Sequence, residues 1–450
     1  MDTIAAISTA NTLSAIGIVR VSGEGCFALC DRVFRPANGK PLSAARPREM
    51  VLGRLLDREG KAVDTCLAVR FPGPGSYTGE DCAEFHCHGS PVVLREALES
   101  LFAAGARQAG RGEFTKRAFL NGRMDLTQAE AVIDLIESET AQAAHNAVEQ
   151  LGGALTQRIE PIYDGLLNLT SQFYAVVDYP DEDIGDLGRT DILQTLESAE
   201  KSMQTLLATF RRGKSLRQGV PTAILGRPNV GKSSLLNALL GYDRAIVTDV
   251  AGTTRDTVEE KAVVGGVLLR LIDTAGIRDT GDAVERLGVA RAQKAAGEAD
   301  LVLLVLDGSR PLTAEDRAAA EAAKAAPHVI VLRNKSDLPL AADLAEFGPS
   351  LSISAKEGTG LDELESAVAA LYPTGEVPPG QILTNARQAE AVSRAAEALR
   401  GAREALEAGL TPDAALTDTE RALNALGELT GRTLREDLVA RIFERFCVGK

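Results

Sequence analysis

Hydrophobic positions in the first 120 residues form short runs that are typical of strands. Residues 16–21 and 66–71 are rich in β-branched and other apolar side chains, and the proline- and glycine-containing segment 72–75 follows the second run. Runs of this length that end at turn-forming residues predict strands joined by tight connections. We therefore expect residues 1–120 to form a small α+β domain.

Longer patterns with helical spacing flank a central segment of different character. On its N-terminal side, Ala129, Ile133 and their apolar neighbours recur three and four positions apart, which predicts an amphipathic helix. Between residues 213 and 373, apolar runs of strand length alternate with helix-forming segments. The pattern predicts a multidomain α/β protein in which residues 213–373 are inserted into an all-α helical domain formed by residues 121–212 and 374–450.

The segment 226–233 reads GRPNVGKS and fills every fixed position of a phosphate-binding loop. Gly226 and Gly231 allow backbone amides to approach a polyphosphate, and the helix that follows presents its positive end. Lys232 adds a cationic charge, and the hydroxyl of Ser233 can reach Mg²⁺. The segment therefore predicts a nucleotide site that uses Mg²⁺.

Three further segments occur in the order found in GTPases, each after an apolar run: DTAG at 273–276, NKSD at 334–337 and SAK at 354–356. Asp273 can hold Mg²⁺ through water, and the amide of Gly276 can bond the terminal phosphate. Asp337 can pair with two donors of guanine that adenine lacks, which favours GTP and GDP over ATP. The inserted segment is thus predicted to be a Ras-like P-loop G domain. Its predicted nucleotide contacts are Asn229, Val230, Gly231, Lys232, Ser233, Ser234, Thr248, Asp249, Val250, Ala251, Gly252, Thr253, Thr254, Asp273, Thr274, Ala275, Gly276, Asn334, Lys335, Asp337, Ser354, Ala355 and Lys356.

The catalytic group of this G domain is not the usual one. Many GTPases place a water-orienting glutamine after the DTAG segment, whereas this chain has Ile277. Arg255 could neutralise the developing charge or could form an ion pair with its neighbour Asp256. Alternatively, the carbonyl oxygen of Asn229 could face a potassium ion in the phosphate loop. Glu285 opens a predicted helix, where it could orient water or favour the helix dipole.

Length, charge and cysteine content narrow the classes of function. A chain of 450 residues is long enough for about three domains, and the junctions 213–219 and 373–379 contain glycine or proline. The net charge of −14 argues against a protein that coats nucleic acid nonspecifically. Basic residues cluster at 107–123 and 211–217, where a solvated face or a domain contact is an alternative to local nucleic-acid binding. The chain shows neither a long apolar run nor a signal-peptide pattern, so we expect a cytoplasmic protein with reduced cysteines.

Two cysteine-containing segments allow more than one interpretation. A zinc site is one interpretation of Cys82, His86, Cys87 and His88, but in an extended strand His86 and His88 would share one face while Cys87 points away, which disfavours zinc. Cys447 could be a reactive thiol activated by Lys450, or a small buried hydrophobic residue in the last helix.

Several motifs together resemble the MnmE (TrmE) family of bacterial tRNA-modification GTPases over essentially the whole chain. The resemblance is carried by GEFTKRAFLN at 112–121, GTTRD at 252–256, the order of the inserted domain, and CVGK at 447–450. It implies a potassium-activated GTPase whose G domains pair in a homodimer. It also implies the partner MnmG, in a heterotetramer that modifies carbon five of the wobble uridine of certain tRNAs with an aminomethyl or carboxymethylaminomethyl group.

The resemblance also assigns ligands to individual residues. It implies that Ser233 and Thr254 ligate Mg²⁺ and that Glu285 orients the attacking water. The residues implied to surround K⁺ are Asn229, Thr248, Val250 and Thr253.

A second ligand, a one-carbon tetrahydrofolate, is implied for the N-terminal domain at 1–120, which the resemblance also implies to form the constitutive homodimer. Its matching contacts are Arg20, Glu84, Arg123 and Lys450. A carboxylate suits the donor edge of a pterin, and a cation suits the glutamate tail of the ligand. Arg123 departs from the lysine of many relatives, and its planar fork is not equivalent to an ammonium group.

Two other functions fit a chain with these motifs. A ribosome-assembly GTPase would share the phosphate loop but commonly adds a basic RNA-binding module. A switch or scaffold protein would use the nucleotide to dimerise without a part in tRNA chemistry. The acidic balance of the chain disfavours the first, and folate binding would distinguish the second.

Overall fold

The structure is a computed structural model that describes residues 2–178, 189–242, 260–272, 285–373, 378–410, 412–433, 442–444 and 446–449. The chain forms two compact units, one of Met1–Ile133 with Asn424–Lys450 and the other of Asp134–Leu423. With its mixed sheets and helices, it is a multidomain α/β protein. The boundaries of the three domains expected from the sequence stay a prediction.

The first unit contains a seven-stranded sheet with the strand order β3-β4-β5-β6-β2-β1-β7. Neighbouring strands are antiparallel except for β1 and β7, which are parallel. The strands are β1 (Ile4–Ile7), β2 (Ile16–Ser22), β3 (Phe34–Pro36), β4 (Val51–Leu56), β5 (Ala62–Phe71), β6 (Cys82–His88) and β7 (Arg107–Gln108). Both strands predicted from residues 16–21 and 66–71 are confirmed.

Helices α1 (Cys26–Val33) and α2 (Pro91–Ala103) contribute apolar side chains to a core with the sheet. Strand β6 shows the alternation that this requires, because Phe85 and Cys87 are buried while His88 is exposed. The prediction that His86 and His88 lie on the face opposite Cys87 is therefore confirmed. Two further helices follow along the chain, α3 (Glu113–Leu120) and α4 (Leu126–Ile136).

The C-terminal residues of this unit pack against its N-terminal part. Phe443 and Phe446 are buried against Ala129 and Ile133 of α4. Val448 forms an isolated β-bridge with Arg111. The described end of the chain is thereby fixed beside the sheet.

The second unit contains most of the predicted helical segment and a separate sheet. The helices before the sheet are α5 (Ala141–Leu151), α6 (Ala154–Asp178), α7 (Arg189–Ala208) and α8 (Phe210–Gln218). The sequence predicts a domain junction at 213–219, and within this range α8 continues through Gly213 and ends at Gln218. Gly213 lies so close to the chain at Leu383 that an added Cβ would be 2.0 Å from its carbonyl oxygen. Close packing, not a break in the helix, therefore explains this glycine.

The six-stranded sheet has the order β13-β12-β11-β8-β10-β9 and is parallel except for the β9 and β10 pair. Its strands are β8 (Val220–Leu225), β9 (Glu260–Val264), β10 (Val267–Leu271), β11 (Leu301–Asp307), β12 (His328–Asn334) and β13 (Ser350–Ser352). All residues of β11 are buried, as expected for a central strand covered on both faces. The carboxyl ends of parallel β8, β11 and β12 meet at one edge, where ligands bind in such sheets.

The helices around and after this sheet are α9 (Lys232–Tyr242), α10 (Glu285–Glu298), α11 (Ala314–Ala323), α12 (Leu361–Leu371), α13 (Ala386–Glu407) and α14 (Pro412–Thr430). Helices α7 and α13 pack together, and Glu200 of α7 accepts hydrogen bonds from Arg400 and Arg403 of α13. Within the described residues, no helix has both the length and the apolar character needed to cross a membrane.

Candidate functional site

The phosphate-loop segment has the predicted strand–loop–helix arrangement. It follows β8 and leads into α9, and its backbone adopts positive φ angles at Gly226 (149°), Asn229 (63°) and Gly231 (102°). An added Cβ at Gly226 would lie 2.3 Å from the Val305 carbonyl oxygen, and one at Gly231 would lie 2.1 Å from Asn334 Nδ2. Both positions therefore need glycine because the loop is packed tightly at the sheet edge.

Lys232, the first residue of α9, is folded back over this loop. Its Nζ donates to the carbonyl oxygens of Gly226 and Arg227, both at 2.8 Å. Burial lowers the pKa of the Lys232 ammonium group, and the nearby Arg227 charge acts in the same direction. A largely desolvated cation held by neutral carbonyls at a helix N-terminus is suited to bind a polyphosphate.

Asn334 connects the phosphate loop to the segments predicted to bind the base. Its side chain is buried, its Nδ2 donates to the Val230 carbonyl at 2.7 Å, and its Oδ1 accepts from the amide of Ala355 at 3.0 Å. One side chain thus holds three loops together at the carboxyl edge of the sheet.

Asp337 is exposed next to this connection. Ser354 Oγ donates to Asp337 Oδ1 at 2.6 Å, and this hydrogen bond lowers the pKa of the Asp337 carboxyl group. Asp337 is therefore an ionised acceptor at neutral pH, as recognition of two neighbouring donors on a base requires. Lys356 is exposed, with its Nζ 3.2 Å from Glu357 Oε1.

Three charged residues of this edge, Asp307, Arg227 and Asp316, were missed by the sequence prediction, whereas their neighbour Lys335 was predicted. Lys335 Nζ lies 2.7 Å from Asp307 Oδ2 at the end of β11. Arg227 of the phosphate loop lies 3.7 Å from the same oxygen and donates through Nε to both carboxylate oxygens of Asp316 at 3.1 Å. The available signal was the position of Asp307 directly after the apolar run 301–306, where a charge is out of place unless it has partners.

Part of the predicted nucleotide site lies outside the described residues. This holds for residues 248–254, for Arg255, and for residues 273–276. Ser233 and Ser234 lie in the first turn of α9. Glu285 is the first residue of α10, so the prediction that it opens a helix is confirmed.

In the first unit, the register of β2 and β6 places Arg20 opposite Glu84. Arg20 Nε donates to Glu84 Oε1 at 2.9 Å, and His86 Nε2 lies 3.2 Å from Glu84 Oε2. The guanidinium carbon of Arg20 is 5.2 Å from the centre of the Tyr77 ring, within the range of a cation–π contact. The structure thus brings together two of the four predicted folate contacts.

The other two predicted folate contacts belong to different segments. Arg123 is exposed in the loop after α3, and an added Cβ at Gly79 would lie 3.2 Å from its Cγ, so the arginine stem packs over this glycine. Lys450 lies outside the described residues. Its neighbour Gly449 packs against Ile7 of β1, and its carbonyl accepts from Ser8 Oγ at 3.0 Å.

All six cysteines are free thiols, and Cys447 alone among them is exposed. The alternative that Cys447 is a buried residue in a helix is therefore wrong. In the basic cluster, Arg107 and Arg117 both form ion pairs with Asp2 and Glu113, so these two arginines have a structural role.

Comparisons with known proteins cover both units. The family model described as "MnmE helical domain" matches residues 126–447, and the one described as "GTP-binding protein TrmE N-terminus" matches residues 3–123. A protein named "tRNA modification GTPase MnmE" from Thermoanaerobacter sp. (strain X514) is 43% identical over 100% of this chain and 99% of its own length. A protein of the same name from Levilactobacillus brevis is 44% identical over 100% of this chain and 98% of its own length. Another from Roseiflexus sp. (strain RS-1) is 44% identical over 100% of this chain and 99% of its own length.

Proposed function

The chain belongs to the MnmE (TrmE) family of tRNA modification GTPases, and on this premise we propose that it hydrolyses GTP to GDP and phosphate in the modification of tRNA. The observation that carries the proposal is the connection made by Asn334. It joins the phosphate loop to the loop of Ser354. Because Ser354 also orients Asp337, the groups for phosphate and for guanine form one site.

In this site Lys232 binds the phosphates and Asp337 selects guanine. The phosphate loop fits a nucleotide with Mg²⁺, because its glycines leave room for backbone amides and Ser233 follows directly at the start of α9. Ser233 and Thr254 would hold Mg²⁺, which would neutralise phosphate charge when bound.

Hydrolysis further requires a group that orients water and a positive charge near the phosphates. We assign the first role to Glu285. The second role would fall to K⁺, held by the oxygens of Asn229, Thr248, Val250 and Thr253 when two G domains pair in a homodimer. The exposed, left-handed Asn229 in the phosphate loop supports this assignment, since oxygen donors suit K⁺.

The test of this mechanism compares GTP turnover in KCl and in NaCl at equal ionic strength. Glu285→Ala is expected to lose turnover by about a hundredfold or more and to retain GDP binding. Glu298→Ala, at the exposed C-terminal end of the same helix, is the matched control. Equal rates in the two salts would exclude the potassium mechanism and would favour Arg255 or an external activator.

The first unit of the protein would bind the source of the one-carbon group. We propose that Arg20, Glu84, Arg123 and Lys450 bind a one-carbon tetrahydrofolate, with Glu84, held by Arg20, facing the pterin and the remaining cations facing its glutamate tail. The pairing of Arg20 with Glu84 supports this proposal, because it holds both charges half-buried on one face of the sheet.

With MnmG, in a heterotetramer, the protein would add an aminomethyl or carboxymethylaminomethyl group to carbon five of the wobble uridine of certain tRNAs. The test is mass spectrometry of tRNA from a strain that lacks the gene. We expect the modified uridine to be lost and to return when the wild-type chain is supplied. Fully modified uridine in the deletion strain would contradict the proposed role in tRNA modification.

A further inference from the structure

Asp307 is a buried carboxylate at the carboxyl end of β11, with 3% of its surface exposed. Its Oδ1 accepts from Ser309 through the backbone amide at 3.0 Å and through Oγ at 2.6 Å. Its Oδ2 lies 2.7 Å from Lys335 Nζ and 3.7 Å from Arg227 Nη2. Burial disfavours the charge of Asp307, but the bonds from Lys335 and Ser309 outweigh it and lower the pKa of the carboxyl group.

The two cations that approach Asp307 come from the two halves of the nucleotide site. Arg227 belongs to the phosphate loop, and Lys335 belongs to the segment 334–337 that carries Asp337. We infer that Asp307 is a positioning residue, whose carboxylate fixes these two loops relative to each other and thereby sets the affinity and selectivity for guanine nucleotides. This inference rests on the proposed function, since it assumes that the site binds such a nucleotide.

The backbone at Lys335 explains why an anchor is needed. Lys335 has a φ of 65°, in the left-handed region that residues with a side chain avoid. The neighbouring Asn334 is held through Val230 and Ala355, and the amide of Ser336 donates to the Ile353 carbonyl at 3.1 Å, so the segment is fixed on both sides of this conformation. Asp337 lies only two residues further along. The ion pair with Asp307 therefore helps determine where Asp337 presents its carboxylate.

Asp316 provides a matched comparison. It is also buried and also binds Arg227, but its second role is at the start of α11, where it accepts from the amide of Thr313 at 2.9 Å and from Thr313 Oγ1 at 2.8 Å. Removal of its charge weakens a helix cap and one contact of Arg227. It leaves the contact between Asp307 and Lys335 intact.

The experiment measures binding of GDP and of inosine diphosphate to the full chain and to D307N, D316N and K335M. Inosine lacks the exocyclic amine of guanine, so the ratio of the two affinities reports how well Asp337 meets that amine. Thermal unfolding of each variant separates stability from binding. The double variant D307N/K335M tests whether the two residues act together.

We expect D307N to lose about tenfold or more in GDP affinity and to show a smaller preference for GDP over inosine diphosphate. D316N should lose stability but change the GDP affinity and the preference for GDP less than D307N does. Adding K335M to D307N should cause little further loss of GDP affinity. The inference is overturned if folded D307N binds both nucleotides as the wild type does. It is also overturned if D316N loses as much GDP affinity and nucleotide preference as D307N. The wild-type chain is also titrated with ADP, and if it does not prefer GDP to ADP, the proposed function fails instead. K335M keeps the test valid if D307N does not fold, because an unchanged nucleotide ratio in K335M would also overturn the inference.

Discussion

The nucleotide site and the pair of Arg20 and Glu84 are built in different ways. In the nucleotide site, loops that each follow one parallel strand meet at a sheet edge, and Asn334 bonds to the backbone of two of them. In the first unit, Arg20 and Glu84 meet because β2 and β6 pair in one register, although they lie 64 positions apart in the chain. A site made of short loops keeps its spacing within each motif, whereas a site made by register depends on the pairing of whole strands.

Because the two regions are built independently, mutations in them should have separate effects on ligand binding. A substitution in one loop of the nucleotide site should change nucleotide binding without changing binding of the proposed folate ligand. A substitution on β2 or β6 should change binding of the proposed folate ligand without changing nucleotide binding. Three variants test this separation, and a fourth tests the stability of the first unit.

The largest effect is expected for Lys232→Ala. Its ammonium group is desolvated and positioned over the phosphate loop, so its removal should lower GDP affinity by about a hundredfold or more. Folate binding should not change. Isothermal titration with each ligand measures both, and Lys214→Ala, an exposed lysine on α8, is the control. A loss of both ligands would show that the two sites are not independent.

Asp337→Asn should shift the base preference of the site from guanine toward xanthine. The amide replaces an acceptor by a donor, so GDP affinity should fall by about tenfold or more. Affinity for xanthosine diphosphate, which has a carbonyl in place of the guanine amine, should rise. Competition titration measures the ratio, and Asp343→Asn, an exposed residue that accepts from the amide of Ala345, is the control. An unchanged ratio would remove Asp337 from the base site.

Arg20→Ala should act on the first unit alone. It removes the guanidinium group that pairs with Glu84 and contacts Tyr77, so binding of a one-carbon tetrahydrofolate should weaken by about tenfold. GDP affinity should stay at the wild-type value. Arg54→Ala, an exposed arginine on β4, is the control in equilibrium dialysis. Folate binding at the wild-type level would contradict the assignment of Arg20.

The smallest effect is expected for Glu113→Gln, which acts on stability. Burial opposes the charge of Glu113, but hydrogen bonds from Arg107, the Gly110 amide and Arg117 hold its pKa at about 2, below the usual 4.5. A lowered folded-state pKa means that the stabilisation is present above pH 4.5 and is lost as the pH falls toward 2. The Tm of the variant should be a few degrees below that of the wild type at pH 7. The gap should close in acid, and a gap independent of pH would contradict this role.

Much of the local geometry of the proposed nucleotide site was predictable from the sequence, because each described motif carries its geometry within a few residues. The glycines of the phosphate loop and the helix start at Glu285 are examples. The contact of Asp307 with Lys335 was not predictable in this way, since strand order and not sequence spacing brings their elements together.

The fold was predictable where a pattern had one physical meaning. Alternation along β6 correctly placed His86 and His88 opposite Cys87. Gly213 was ambiguous because glycine favours both a chain junction and a close helix contact; the structure shows the contact with Leu383, and the domain boundary stays a prediction. The exposure of Cys447 was likewise open, because it depends on how the last residues return to β1.

The most direct test of the central claim is a titration of the full chain with fluorescent GDP and ADP in the presence of Mg²⁺. The site has an ionised acceptor at Asp337 and a desolvated cation at Lys232, joined through Asn334. We expect GDP to bind and ADP to bind at least about a hundredfold more weakly. Equal affinity for the two nucleotides, or no binding of GDP, would contradict the claim that these loops form a guanine-nucleotide site.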